Sequence, residues 1–234
     1  MKVLGLDSSG LVASVALVED YNLLAEYTVN YKKTHSQTLL PMLDEISEMI
    51  QLDLSSVDAI AVAAGPGSFT GLRIGSATAK GLGLALKKML IPVPTLDALA
   101  YNLFDHKDLI CPIMDARRNQ VYTGIYAFEN HEMQILQESD AYDIAELIDK
   151  LNALGKAVVF LGDGVTVHRE VIKETLEVPY TFAPAHCNKQ RASAVAALGI
   201  VYAGQDKMVT AADFQPDYLR KSQAEREREE REKA

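Results

Sequence analysis

What this 234-residue chain lacks narrows its reading first. It has no tryptophan and only two cysteines, Cys111 and Cys187, which share no motif. A disulfide framework is thereby excluded, and a reducing compartment, the cytoplasm, is expected. No apolar run approaches the roughly 20 residues that a membrane span needs, and Met1-Lys2-Val3-Leu4-Gly5-Leu6-Asp7 meets an acid too early for a signal peptide. The five histidines, His35, His106, His131, His168 and His186, are scattered, so no H-E-x-x-H or comparable metal spacing exists. There is no G-x-S-x-G elbow, and neither cysteine has a base near it in sequence. Positive charge is also scarce: 23 Lys and Arg stand against 32 Asp and Glu, a formal net charge of -9. Autonomous nucleic-acid binding relies on Lys and Arg neutralising phosphates, so the chain is not expected to grip RNA by itself.

What is present begins with a hydrophobic content of 48% and 24% charged residues, the composition of a soluble globular protein of one large domain or two small ones. The most distinctive stretch runs from Gly65 to Gly75, Gly-Pro-Gly-Ser-Phe-Thr-Gly-Leu-Arg-Ile-Gly, between the apolar run Ala59 to Ala64 and a helix-length segment with Ala77, Ala79, Leu82, Leu84 and Leu86. Strand, glycine loop, helix is the natural reading. Such loops can cradle phosphate at a helix N-terminus, but Leu72-Arg73 stand where a Walker loop needs Lys and Ser/Thr. Gly65, Gly67 and Gly71 also miss the dinucleotide fingerprint by one residue. A nucleotide cradle and a tight structural turn both stay open. On the following helix the polar residues Arg73, Ser76, Lys80 and Lys87 fall on one strip. A helix this apolar must be covered on two sides, one of them by its own sheet. Gly71, Gly75, Thr78 and Leu82 line a second side, open either to a partner protein or to a neighbouring helix of the same chain.

Around this stretch the chain reads as three antiparallel strands (Val3 to Asp7, Val12 to Val18, Leu23 to Asn30) and a helix from about Gln37 to Gln51. Thr34-His35-Ser36 can cap that helix, whose apolar face is Leu39, Leu43, Ile46 and Ile50. The Ala59 strand, the glycine loop and its helix follow, then a short strand at Ile91 and a helix over Leu96 to Leu103, for which Thr95 is a candidate cap. Asp7-Ser8-Ser9-Gly10 suits either ordinary turn chemistry or a metal–phosphate contact. The order of strands and helices resembles half of the actin-like ATPase architecture shared by sugar kinases and actin. That resemblance implies an α/β fold, ribonuclease H-like, with two lobes of mixed sheet and flanking helices. Residues 1–104 form the first lobe, completed by a returning helical segment at about 190–221, and residues 105–189 form a smaller second lobe. In the second lobe, strands are expected over Leu109 to Met114, Gln120 to Phe128, Met133 to Gln137 and Val158 to Leu161, with helices over Ile144 to Leu154 and Val167 to Leu176; a strongly apolar helix over Ala192 to Ala203 follows. Asp7, Asp115 and Asp163 fall at strand ends, where an actin-like ATPase holds a metal–nucleotide complex; with Ser8, Ser9, Gly162 and Gly164 they make a candidate vestigial nucleotide site. Residues 222–234 alternate Glu with Arg or Lys at i,i+4 spacing and no apolar stripe, a solvated helical tail or a charged interaction tail.

Five segments in order carry a closer resemblance: His35-Ser36 with Leu39-Leu40-Pro41, the run Gly65 to Gly75, Asp115-Ala116-Arg117-Arg118 with Gln120-Val121-Tyr122, Gly162-Asp163-Gly164, and Pro216-Asp217-Tyr218-Leu219-Arg220. Together they resemble the bacterial TsaB (YeaZ) family over essentially the whole chain up to the tail. The resemblance implies a dimerisation subunit of the machinery that makes threonylcarbamoyladenosine beside the anticodon of tRNA. It implies pairing with a TsaD-like transferase, or with a second copy of itself, through the two helices of the first lobe. A TsaE-like ATPase joins, tRNA is met only through the complex, and no cofactor or membrane is involved. The expected interface is Leu39, Leu43, Ile46, Gly71, Leu72, Gly75, Thr78, Ala79, Leu82 and Gly83. TsaD-like chains carry a His-x-x-x-His metal pair in the helix after the glycine loop's own; here Thr95 to Tyr101 has no histidine, so independent catalysis is not expected. The competing expectation from the fold is an active ATPase or small-molecule kinase.

Overall fold

Strands apolar on both sides must be covered on both faces, and the runs Val3 to Leu6, Ala13 to Val18 and Ala59 to Ala64 set up such a sheet. In the computed structural model, which describes residues 1–31 and 38–219, β1 (Lys2–Asp7), β2 (Ala13–Glu19) and β3 (Asn22–Val29) make the antiparallel meander, and β4 (Ala59–Gly65) and β5 (Met89–Pro94) add in parallel. The sheet order is β3-β2-β1-β4-β5. Helices α1 (Leu39–Met49) and α2 (Phe69–Leu86) cover one face, where Leu39, Met42, Leu43, Ile46 and Ala79 join Leu4, Leu6, Val15, Leu17, Ile60 and Val62 in one cluster. The other face takes α6 (Ala192–Ala203), whose Val195, Ala196, Leu198 and Tyr202 pack with Val3, Ala59, Ala61 and Val93. A helix apolar all the way round is a buried helix, and α6 lies between this sheet and α3 (Thr95–Tyr101).

The second sheet repeats the plan. β6 (Leu109–Asp115), β7 (Gln120–Glu129) and β8 (Glu132–Asp143) are antiparallel, β9 (Val158–Leu161) and β10 (Tyr180–Phe182) add in parallel, and the order is β10-β9-β6-β7-β8. Helices α4 (Ile144–Leu154) and α5 (Gly164–Thr175) supply Leu147, Ile148, Leu151 and Ile172 to its core. Three details depart from expectation. β10 has no alternating pattern long enough to announce it. β8 extends to Asp143 because its pairing with β7 continues past two register shifts. Thr95 does not cap α3: Pro94 holds that position, and the Thr95 hydroxyl is buried without a hydrogen-bond partner among the described residues. The expected capping residues Thr34 to Ser36 and the charged tail lie outside the described residues.

One polar cluster ties α6 to the first sheet. The helix starts without a side-chain cap of its own, and its first N–H groups would be orphaned in a buried place. Ser14 on β2 accepts from the Ala192 N–H at 2.9 Å, and Glu26 on β3 accepts from the Ser193 N–H at 3.2 Å and the Ser193 hydroxyl at 2.6 Å. Arg191 pairs with the same carboxylate. Burial alone would push Glu26 up; hydrogen bonds from Arg191 and Ser193 override it and hold the carboxyl below the ordinary glutamate value. A carboxyl depressed in the folded state stabilises fully above its unfolded pKa and loses that contribution as pH falls through the folded one. Glu26→Ala is therefore expected to cost about 2 kcal/mol at pH 7. The deficit, measured by urea unfolding, should shrink below pH 4.

Candidate pairing face and glycine loop

The glycine loop is shaped by close backbone approaches from two sides. Gly65 has φ +124°, a conformation open to glycine, and the space its side chain would take is filled by the Asp217 carbonyl at 2.1 Å. The Asp217 N–H donates to the Ala64 carbonyl at 2.7 Å. On the other side, a side chain at Gly67 would meet the Ser9 carbonyl at 2.3 Å, and one at Gly71 the Ser8 carbonyl at 2.0 Å. The Ser68 N–H, one of the free donors at the start of α2, is bonded to the Ser9 carbonyl at 2.7 Å, and the Gly71 N–H bonds to the Ser68 hydroxyl at 3.3 Å. Ser8 donates its hydroxyl to the Gly71 carbonyl at 2.9 Å. Phe69 is then held between Tyr218, centroids 4.8 Å apart, and the Arg73 guanidinium 4.1 Å over its ring. The Ser9 carbonyl thus lies at the start of α2, bonded to Ser68, and the Ser8 carbonyl beside Gly71.

The candidate nucleotide residues divide between the two sheets. Asp7 is buried and accepts from the Ser9 N–H at 2.9 Å and the Ser9 hydroxyl at 2.7 Å, the bonding of an Asx turn. In the second sheet Asp163 accepts from the Asp115 N–H at 3.2 Å, and Asp115 accepts from the Arg117 N–H at 2.9 Å. Burial raises the Asp163 carboxyl above the ordinary aspartate value. Gly162, with φ +102°, presses against the Ile113 carbonyl, and Gly164 follows at the start of α5. Asp115 and Asp163 are brought together; Asp7 with Ser8 and Ser9 belongs to the α2 contact instead. Among the described residues no group of three His, Cys, Asp or Glu side chains could hold a metal ion.

Most of the residues expected at an interface lie inside this chain. Leu39, Leu43, Ile46, Leu72 and Ala79 are buried in this chain's own core, Gly71 and Gly75 face Ser8, and Gly83 faces Leu90 and Ala211. Only Thr78 and Leu82 are half-buried. The reason is the rotation of α2: seating Gly71 and Gly75 on Ser8 turns the glycine side inward and buries Ser76 as well, so the polar strip expected from Arg73, Ser76, Lys80 and Lys87 is not the outer face. The outward face is Thr70, Arg73, Ala77, Gly81, Leu84 and Ala85. Leu84 is 67% exposed, and nothing lies within 4 Å of a side chain built at Gly81. On α1 the outward apolar residues are Leu40, Met49 and Ile50. The sequence held this stripe too, as Ala77, Gly81 and Ala85 at i,i+4 spacing, but with every side of α2 small or apolar it could not be ranked above the buried one.

Fold and site together define a two-lobed protein of the actin-like ATPase fold. The activator of 2-hydroxyisocaproyl-CoA dehydratase from Clostridium difficile, solved with bound ADPNP, shares that fold with a TM-score of 0.51 at 11% identity, over 88% of this chain and 97% of that one. The model of the TsaD family, tRNA N6-adenosine threonylcarbamoyltransferase, matches residues 22–228. The tRNA threonylcarbamoyladenosine biosynthesis protein TsaB of Bacillus subtilis is 33% identical over 228 residues, covering 96% of each chain. A Pseudomonas aeruginosa crystal structure, described as similar to peptidase YeaZ, superposes with a TM-score of 0.81 at 27% identity, over 94% of this chain and 99% of that one. The chain belongs to the TsaB family, within the group that the transferase model spans.

The two sides of α2 are expected to respond oppositely to the smallest substitution. Gly81→Ala, in open space on a helix, should stabilise by about 0.5–1 kcal/mol, whereas Gly71→Ala drives a methyl into a backbone carbonyl and should cost about 1–3 kcal/mol. Denaturant unfolding of the two variants separates them; equal effects would refute the assigned rotation.

Proposed function

We propose that this chain is the non-catalytic pairing subunit of the complex that makes N6-threonylcarbamoyladenosine in tRNA, supporting a TsaD-like transferase. The observation that carries the reading is the outward face of α2, an open strip of Thr70, Ala77, Gly81, Leu84 and Ala85 on a helix long enough to pack against another along its length. Small residues let two helices approach closely, and Leu84 adds apolar area to bury. The first lobe, residues 1–104 with the returning α6, is the pairing unit. Residues 105–189 form the second lobe. The same face serves a second copy of the chain when the transferase is absent, and a TsaE-like ATPase joins the assembly. The tRNA is met through the complex, in keeping with the net charge of -9. A cytoplasmic setting follows from that role; among the described residues no helix is long and apolar enough to cross a membrane.

Two features favour support over catalysis. The segment Thr95 to Tyr101 offers no histidine pair for a metal, and the Ser68 and Gly71 N–H groups at the start of α2 are already bonded to the Ser9 carbonyl and the Ser68 hydroxyl.

Gly81→Arg should keep the fold, since its site is open, yet abolish co-purification with the transferase subunit; undiminished pairing by that variant would remove α2 from the interface. Depletion of the chain in its host should strip threonylcarbamoyladenosine from tRNA hydrolysates analysed by mass spectrometry, and normal levels would refute the role itself. Titration of the isolated chain with Mg-ATP should give no calorimetric heat. Micromolar binding lost in Asp7→Ala would instead favour an ATPase or kinase.

A further inference from the structure

A carboxylate taken out of water is costly unless donors surround it. Asp97, in the first turn of α3, is such a group: it is 4% exposed and, among the described residues, carries no cationic partner at ion-pair distance. Its two oxygens are each met by a phenol. Tyr126, on β7 of the second sheet, donates to one at 2.8 Å, and Tyr202, on α6 against the first sheet, donates to the other at 2.6 Å. The α3 helix that bears Asp97 is itself the passage from β5 of one sheet to β6 of the other. A single acceptor on the crossover therefore receives one donor from each half of the molecule.

The surroundings reinforce the pair. The Tyr126 hydroxyl also lies 3.2 Å from the Ser139 hydroxyl on β8, which extends the chain of hydrogen bonds to the edge of the second sheet. Lys207 places its ammonium 4.1 Å over the Tyr202 ring. Burial pushes the Asp97 carboxyl above the ordinary aspartate range; Glu138 pushes the same way, while the two phenols and Lys207 oppose it. Tyr126 is fully buried, so its hydroxyl has no water to turn to if the carboxylate moves away.

We propose that the Asp97–Tyr126–Tyr202 triad is a pin that fixes the angle between the two lobes, so that the chain acts as a rigid frame rather than a closing clamp. Rotation of one lobe about α3 must pull one phenol off the carboxylate and leave a half-paired buried charge, which makes intermediate angles unfavourable. Charge-assisted bonds are short and directional, suited to holding an orientation. Apolar packing, also present between Leu96, Leu99, Met114 and Val159, permits sliding that a two-ended hydrogen bond does not.

The test uses the full chain with Cys187→Ser and spin labels at Tyr21→Cys in the first lobe and Val167→Cys in the second, both exposed. Distance distributions from electron–electron resonance are measured for this parent and for Tyr126→Phe, Tyr202→Phe and the double variant. One narrow distribution is expected in the parent. Each single phenylalanine variant should stay folded by circular dichroism, melt roughly 3–6 °C lower and show a distribution at least twice as wide. The melting losses should be non-additive in the double variant, because both phenols serve one carboxylate. Single variants that are folded and as narrow as the parent overturn the pin, as does additive loss. Should the double variant fail to fold, the widths of the two single variants decide the matter.

Discussion

The rest of the molecule depends on backbone pressed against backbone where α2 begins. Gly67 and Gly71 bring the helix to van der Waals contact with the Ser8–Ser9 turn, at a separation that no side chain would allow. That contact joins β1 to β4 through the loops that leave them, and it sets the rotation of α2. Once the rotation is set, everything else about the helix follows. Leu72 and Ala79 go into the core, Gly83 seats on Leu90, and Ala77, Gly81 and Leu84 are left pointing out. The outward strip of α2 is a by-product of how the loop is closed.

The closure also changes what the loop can do chemically. Helix N-termini attract anions through free N–H groups and the dipole. Here the Ser68 N–H is already paired with the Ser9 carbonyl and the Gly71 N–H with the Ser68 hydroxyl. Asp7, which the fold could place beside a metal, is bonded to Ser9 within its own turn. The fold is that of the actin-like ATPases, and these local hydrogen bonds join the two loops.

Much of the architecture was legible in the residues. The continuous apolar runs of β1, β2 and β4, the meander followed by parallel strands, and the all-round apolarity of α6 all showed in pattern alone. The inward turn of most of the expected interface residues was not legible, and the reason is specific. Gly71, Gly75, Thr78 and Leu82 form a stripe as plausible as Ala77, Gly81 and Leu84, and periodicity cannot tell which of two small, apolar sides meets the chain's own backbone. The Asp97 triad was hidden for a different reason: its three residues are separated by 29 and 105 positions, and a lone aspartate in a helical first turn looks like ordinary capping chemistry. β10 was too short to carry a pattern of its own.

The returning segment has a consequence for how the protein comes into being. Asp217 bonds to Ala64 and lies on Gly65, Tyr218 stacks on Phe69, and α6 covers the face of the sheet that β1 and β2 began. The first sheet is therefore closed only by residues that follow the whole second sheet in sequence. Until α6 has been synthesised, β1, β2 and β4 expose one apolar face, the circumstance in which long-range contacts fold slowly and nascent chains aggregate. The first lobe spends much of its synthesis as half a sandwich.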